Sequence, residues 1–115
     1  MNLSKWKVKY LKEFEKDLKK IDKSLYEVVF KGIDKVSENP LPNSEGGYGK
    51  PLGNKLTNML KIKYKNIGIR VVYTLVKEEK VMNLITISSR SDEECYYIAE
   101  TRKNKYGTDI FKNKF

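Results

Sequence analysis

The pattern of apolar and polar positions predicts a strand and a helical hairpin over the first third of the chain. Trp6, Val8 and Tyr10 alternate with lysines, and this period of two is typical of a short edge strand with one buried face. Apolar residues then recur every three or four positions over 11–21 and again over 25–36, the spacing of two amphipathic helices. Because so few residues separate these runs, we expect a tight hairpin.

The second helix has candidate capping residues at its start and prolines at its end. Asp22 or Ser24 can cap the first turn, and either Val28 or Val29 continues the apolar face. Proline cannot continue a helix and restricts the residue before it. Residues 39–54 contain all three prolines and most of the glycines, so we predict a loop there.

Three strands are predicted in the second half of the chain. Residues 57–65 alternate in polarity, whereas 69–77 and 81–88 are nearly continuous β-branched and apolar runs, which suit interior strands. The connections at 66–68 and 78–80 are short enough for hairpins, so the three strands should form an antiparallel meander.

A final helix is predicted from Ser91, which can cap it, through Arg102. The lysine- and asparagine-rich tail, residues 103–115, is expected to fray. The order β-α-α-β-β-β-α predicts one α+β domain over residues 1–115, with the helices packed on one face of a small, twisted, mainly antiparallel sheet.

The composition excludes several kinds of chemistry. The 115 residues include one cysteine and no histidine, which removes Ser-His and Cys-His nucleophile pairs, internal disulfides and most zinc chemistry. No apolar run approaches the roughly 18 residues that cross a bilayer, and the N-terminus lacks the apolar core of a signal peptide. We therefore expect a cytoplasmic protein without a membrane anchor, metal or cofactor.

Positive charge is concentrated in one part of the sequence. The 24 Lys and Arg exceed the 15 Asp and Glu, giving a net charge of +9, which suggests an anionic partner such as nucleic acid. Residues 46–77 contain no acid. The basic residues of this window are Lys50, Lys55, Lys61, Lys63, Lys65, Arg70 and Lys77.

The alternation within this window predicts a basic sheet face. Lys61, Lys63 and Lys65 should project from one side of a strand, about 7 Å apart, a spacing comparable to that of phosphates along a nucleic-acid strand. Arg70, on the neighbouring strand, should lie near Lys63 or Lys65. A lysine-rich edge that discourages aggregation is the alternative, but it does not explain an arginine in an interior strand.

Further candidate residues follow the last strand. Arg90 follows that strand after Ser88 and Ser89, and Tyr96 and Tyr97 lie in the predicted helix. One tyrosine should pack on the sheet, and a tyrosine beside a guanidinium can stack on a base. Cys95 is expected to be a small packing residue. The acids Asp92, Glu93 and Glu94 are interpreted as helix-start acids.

The order of these pieces resembles a known family. Lys-x-Lys at 61–63, Gly-x-Arg-Val-Val-Tyr at 68–73, an apolar strand, then Arg90 and a tyrosine six residues later make residues 6–102 similar to the RelE/ParE superfamily of bacterial toxins, most closely the RelE branch. The resemblance implies the toxin of a type II toxin-antitoxin system. It implies a metal-independent, ribosome-dependent endoribonuclease that cleaves mRNA in the A site through attack of the RNA's own 2′-hydroxyl. The implied partners are a cognate antitoxin, the ribosome and mRNA.

The resemblance also implies roles for individual residues. Lys61 or Lys63 would be the general base, Arg70 would hold the transition-state phosphate, Arg90 would contact the phosphate and Tyr96 would orient a base. Lys65 matches a further basic position that helps bind RNA. Beside the resemblance, Lys50, Lys55 and Tyr97 are additional RNA-binding candidates. Two features depart from the family pattern: Ser89 stands where a basic residue often precedes the second arginine, and Tyr97 adjoins the expected tyrosine.

Two other functions remain open from the sequence. The ParE branch shares the fold but poisons DNA gyrase without cutting RNA, and a non-catalytic RNA-binding module would bind with a steep salt dependence but leave RNA intact. The three functions predict different outcomes. An endoribonuclease cleaves messages, a gyrase inhibitor causes DNA damage and leaves messages intact, and an RNA-binding module binds RNA without cleaving it.

Overall fold

The structure, a computed structural model, describes residues 5–53, 56–89 and 91–115. Within these ranges the chain forms a five-stranded sheet and three α-helices, which confirms the α+β class. In chain order the elements are β1 (Lys7–Tyr10), α1 (Lys12–Lys19), α2 (Tyr26–Val36), β2 (Lys50–Pro51), β3 (Leu60–Tyr64), β4 (Ile69–Val76), β5 (Val81–Ser88) and α3 (Asp92–Tyr106).

The sheet contains the predicted meander and two additional edge pairings. Its strand order is β1-β5-β4-β3-β2, with β1 parallel to β5 and every other pair antiparallel. The β3-β4-β5 meander is confirmed, and its register places Lys63 opposite Arg70. β2 lies inside the predicted loop. It is a two-residue edge strand, where a proline is tolerated because one side of the strand makes no ladder bonds.

The helices cover both faces of the sheet, so the prediction that they share one face is wrong. Side chains of α1 and α2 pack with Val71 and Leu84 in one apolar cluster, whereas α3 packs with Val72 and Ile85 in another. The cause is the nearly continuous apolar sequence of β4 and β5. Consecutive strand residues point to opposite faces, so Val71 and Val72, both fully buried, require cover on both sides.

The first strand lies at the sheet edge as predicted, but its supposed buried face is exposed. Val8 and Tyr10 are 36% and 47% exposed. The ring of Tyr10 approaches that of Phe14, with centroids 6.1 Å apart, yet it keeps a solvent-facing side. The fully buried residue is Leu11, directly after the strand. An edge strand of four residues therefore leaves its apolar alternation only partly covered by the first helix.

The hairpin and the loop after it are fixed by a few specific contacts. Asp22 accepts a 2.9 Å hydrogen bond from the Ser24 backbone N–H, but it caps the short 3₁₀ turn Lys23–Leu25 and not α2, whose N-cap is Leu25 without a side-chain bond. Val29 rather than Val28 faces the core. In the loop, the Tyr73 hydroxyl donates to the Pro40 carbonyl at 2.8 Å. Gly49 permits this approach, because a Cβ there would lie 2.4 Å from the Tyr73 hydroxyl oxygen.

The C-terminal tail is packed, and the expectation that residues 103–115 fray is wrong. α3 continues to Tyr106 and is followed by a 3₁₀ turn at Gly107–Phe111. Ile110 is fully buried, and its carbonyl accepts hydrogen bonds from the side chains of Thr74 and Asn83. These two polar residues face each other on β4 and β5, and buried polar groups need such partners.

Candidate active site

Strands β2, β3 and β4 bring four cations onto the sheet face that α3 covers. Lys61 and Lys63 alternate with the buried Leu60 and Ile62 of the hairpin side, so their side chains project to the opposite face. Lys63 pairs with Arg70 across β3 and β4. Lys50 pairs with Lys61 across β2 and β3.

Lys61 is joined to Tyr96 of α3. The Lys61 Nζ donates a 2.5 Å hydrogen bond to the Tyr96 hydroxyl and lies 5.2 Å from the centroid of its ring. Lys61 is half-buried, whereas Lys63 is exposed. The structure therefore brings Lys61, Lys63, Arg70 and Tyr96 together as predicted; we call these four residues the basic face.

Tyr97 does not belong to the basic face. Adjacent helical residues point about 100° apart, and Tyr97 is 71% exposed beside Glu93, Glu94 and Ile98. Two carboxylates next to this ring would repel a phosphate backbone. The prediction that Tyr97 binds RNA is therefore not supported by its surroundings, and the ambiguity between the two tyrosines favours Tyr96.

The remaining predicted site residues lie at the edge of the basic face or outside the residues that the structure describes. Lys50 is exposed on β2, and Lys65 is exposed in the turn after β3 rather than within the strand. Lys55 and Arg90 fall outside the described residues, so their predicted roles stay predictions.

Asp92, which the sequence predicts as a helix-start acid, also contacts the basic face. The carboxylate of Asp92 forms an ion pair with the Arg70 Nε. The Arg70 and Asp92 side chains are 16% and 43% exposed. A signal was present, because Asp92 and Tyr96 are four positions apart and therefore share a helix face. Asp92 also offsets the repulsion between Lys63 and Arg70, which lie directly opposite each other.

Cys95, on the inner face of α3, is fully buried. Burial raises its pKa to about 11, although the positive charges of Arg70 and Lys61 act in the opposite direction. This bears out the prediction that Cys95 is a packing residue.

Among the described residues there is no cluster of three or more His, Cys, Asp or Glu that would hold a metal, nor a helix long and apolar enough to cross a membrane.

A buried polar cluster holds the far end of α3 and thereby the position of Tyr96. Arg102 donates to both carboxylate oxygens of Asp17 and to the Ile85 carbonyl, the last at 2.8 Å. Thr86 donates to the same carboxylate at 2.7 Å. We call Asp17, Thr86 and Arg102 the α3 anchor. One residue from the first helix, one from β5 and one from α3 are thus joined in a single network.

The basic face suits chemistry on a phosphodiester. Cations fixed on a rigid sheet can stabilise the negative charge that develops on a pentacoordinate phosphorus. A guanidinium fork matches two phosphate oxygens, and the Tyr96 ring offers a surface for a base. Histidine is absent from the sequence, so proton transfer here would depend on lysine, carboxylate or tyrosine groups.

Comparison with known proteins assigns the chain to a family. Residues 8–94 match the family of ParE toxins of type II toxin-antitoxin systems, parDE. A RelE-like toxin protein of Escherichia coli is 26% identical over 99 residues, covering 85% of this chain and 97% of the relative. The chain belongs to the RelE/ParE superfamily and is a toxin of the type II toxin-antitoxin class.

Solved structures share the fold. A mutant of the Escherichia coli toxin RelE in the free state aligns with a TM-score of 0.68 and 23% identity, covering 85% of this chain and 97% of that one. The toxin-antitoxin complex RelBE2 of Mycobacterium tuberculosis aligns with a TM-score of 0.65 and 20% identity, covering 78% and 97%. At this identity the likeness establishes a RelE-like fold.

Proposed function

We propose that this toxin is a ribosome-dependent endoribonuclease that cleaves mRNA in the ribosomal A site. The observation that supports the proposal most directly is the basic face, in which Lys63 lies opposite Arg70 and Lys61 is hydrogen-bonded to Tyr96. The toxin would act in the cytoplasm and would need no metal or cofactor.

The proposed reaction is attack of the RNA's own 2′-hydroxyl on the adjacent phosphorus. A base removes the hydroxyl proton, cations stabilise the phosphorane, and an acid protonates the leaving 5′-oxygen. Lys61 or Lys63 would be the base, and the other lysine could supply the acid. Arg70 holds the phosphate, with Arg90 as a second contact, and Tyr96 orients a base.

The ribosome supplies positioning that the basic face lacks. The cations lie on an open sheet surface, and general-base chemistry there would be slow until the reacting groups are held in line. Lys50, Lys55 and Lys65 would bind flanking phosphates.

We infer that a cognate antitoxin neutralises the toxin. The Mycobacterium tuberculosis relative with the same fold was solved as a complex with its antitoxin. An acidic or amphipathic segment that covers the basic face, or displaces α3 and with it Tyr96, would remove the proposed activity.

Inhibition of DNA gyrase is the second candidate function, because the matching family model describes ParE toxins. The combination of two lysines, Arg70 and Tyr96 on one face favours RNA cleavage. Gyrase inhibition predicts DNA damage with intact messages after induction, whereas the proposed function predicts codon-phased message ends. Direct supercoiling assays with purified gyrase separate the two without reference to growth.

Growth arrest on expression tests the site. Three substitutions should relieve the arrest and remove message cleavage: Arg70→Ala, Arg90→Ala and Lys61→Ala. The control is Lys19→Ala, which replaces an exposed lysine of α1 and should arrest growth like wild type. Circular dichroism of each purified variant should show an intact fold. If the Arg70 and Arg90 variants arrest growth as strongly as wild type, the proposed site is wrong.

A further inference from the structure

We propose that Asp92 is a specificity-determining residue, which occupies Arg70 until a positioned RNA phosphate displaces it. Free RNA would then compete poorly for Arg70, whereas RNA held on the ribosome would succeed. This inference rests on the proposed function, because it assumes that Arg70 receives a phosphate.

The ion pair lies where the phosphate would approach. The Arg70 side chain is 16% exposed and the Asp92 side chain 43%. The two contacting atoms, Arg70 Nε and Asp92 Oδ1, are buried, whereas the rest of the Asp92 side chain faces solvent. Lys63 on β3 lies directly opposite Arg70 on β4, and Tyr96 lies one helical turn beyond Asp92. An RNA strand that meets Lys63 and Tyr96 would therefore meet Asp92 before Arg70.

A carboxylate competes with a phosphate for the same donor. Both are oxyanions that accept charge-assisted hydrogen bonds from a guanidinium. Because Asp92 is tethered to the same domain, its effective concentration at Arg70 is of millimolar order or higher. A loosely bound RNA cannot match this value, but a substrate with its reacting phosphate fixed in place can.

The exchange does not require α3 to move. The α3 anchor holds the far end of the helix through bonds from Arg102 to both oxygens of Asp17. Asp92 can leave Arg70 by rotating its own side chain while Tyr96 remains in place. The contact is thus separable from the docking of the helix.

Binding of a short single-stranded RNA without ribosomes tests the inference, with Asp92→Asn compared against Glu93→Gln. Both variants remove one negative charge from the first turn of α3, but Glu93 is exposed and lines the recess beside Tyr97. Release of Arg70 in the Asp92 variant should tighten binding about tenfold, because one charge-assisted hydrogen bond becomes available to the RNA.

Salt dependence measures the same release independently. Each additional phosphate contact changes the slope of log affinity against log salt by about 0.7 for single-stranded RNA. We expect a slope steeper by up to about 0.7 for Asp92→Asn and an unchanged slope for Glu93→Gln. Compared with Arg70→Ala alone, the double variant Arg70→Ala, Asp92→Asn should show neither the added affinity nor the added slope.

The inference fails if Asp92→Asn binds RNA no more tightly than Glu93→Gln, or if the double variant keeps the gain. Asp92→Ser repeats the test with a residue that favours helix N-termini, so a folding defect of one variant does not decide the result. Failure of the wild type to cleave on ribosomes would overturn the proposed function. That outcome is distinguishable, because the binding comparison is made without ribosomes.

Discussion

The two ends of α3 are each tied to the rest of the protein by an arginine–aspartate ion pair, and the two pairs differ in their surroundings. Arg102 and Asp17 have side chains 13% and 10% exposed, and Thr86 completes their hydrogen bonding. Arg70 and Asp92 are 16% and 43% exposed and lie among lysines. The same chemical pair is therefore suited to an anchor at one end and to an exchangeable contact at the other.

A helix can be firmly docked at one end and still carry part of the proposed site at the other. A buried pair with its hydrogen bonds satisfied is costly to break. A half-exposed pair is screened by solvent and has a small net effect on stability. The α3 anchor can therefore fix Tyr96 beside Lys61 while Asp92 stays free to exchange.

The largest expected effect is the loss of stability on breaking the anchor. Asp17→Ala leaves Arg102 uncompensated, and removal of one partner of a buried pair costs about 3–5 kcal/mol. The free energy of unfolding from urea titration measures the loss.

A matched control separates charge from packing in that experiment. The double substitution Asp17→Leu, Arg102→Met replaces the pair by apolar groups and should recover most of the loss. A cost below about 1 kcal/mol for Asp17→Ala would show that the anchor does not hold the helix.

The next effect concerns the two tyrosines of α3. Tyr96→Ala should slow cleavage on ribosomes about 5- to 150-fold, because a stacked base is worth about 1–3 kcal/mol. Tyr97→Ala should leave the rate unchanged. Single-turnover cleavage measures both, and Tyr96→Phe separates the ring from the hydroxyl that Lys61 contacts. Equal losses in the two alanine variants would contradict the placement of the basic face.

A smaller effect is expected for stability at the exposed end. Asp92→Asn should lower the free energy of unfolding by less than Asp17→Ala does, because the Asp92 side chain is 43% exposed and the Asp17 side chain only 10%. Measured in the same urea titration, a loss as large as that of Asp17→Ala would mean that the two ends are not different.

The last expected effect is a pH dependence near the anchored end. Burial by itself raises the pKa of Glu13, but hydrogen bonds from Lys105 and Tyr106 outweigh it and lower the pKa to about 2. A carboxyl with a lowered folded-state pKa contributes stability above its ordinary value near 4.5, and this contribution is lost as the pH falls towards 2.

The variant Glu13→Gln tests this dependence. Thermal unfolding between pH 5 and pH 2 should vary less steeply for Glu13→Gln than for wild type. Parallel curves for the two proteins would show that Glu13 does not contribute.

The strands and their register follow from the sequence better than the faces of the helices do. The boundaries of β5 match the predicted range 81–88, and Lys63 pairs with Arg70 as expected, because hairpin connections and a period of two leave little freedom. The continuous apolar run of β4 also indicated cover on both faces.

Contacts between distant residues account for what the sequence did not predict. The tail is packed because the Ile110 carbonyl accepts hydrogen bonds from Thr74 and Asn83. No local sequence pattern predicts these contacts. Asp92 was explained by its place in a helical turn, which is correct locally. Its contact with Arg70 depends on how that turn docks on the sheet.

Cleavage of a short defined mRNA on programmed ribosomes tests the central claim most directly. The 5′ ends of the products, mapped by primer extension, should fall within the A-site codon, and the same mRNA without ribosomes should remain intact. Arg70→Ala should slow the cleavage at least about 100-fold, the usual cost of removing a donor to the transition state. An mRNA left intact by the wild type on ribosomes, or cut equally fast by Arg70→Ala, would contradict the account.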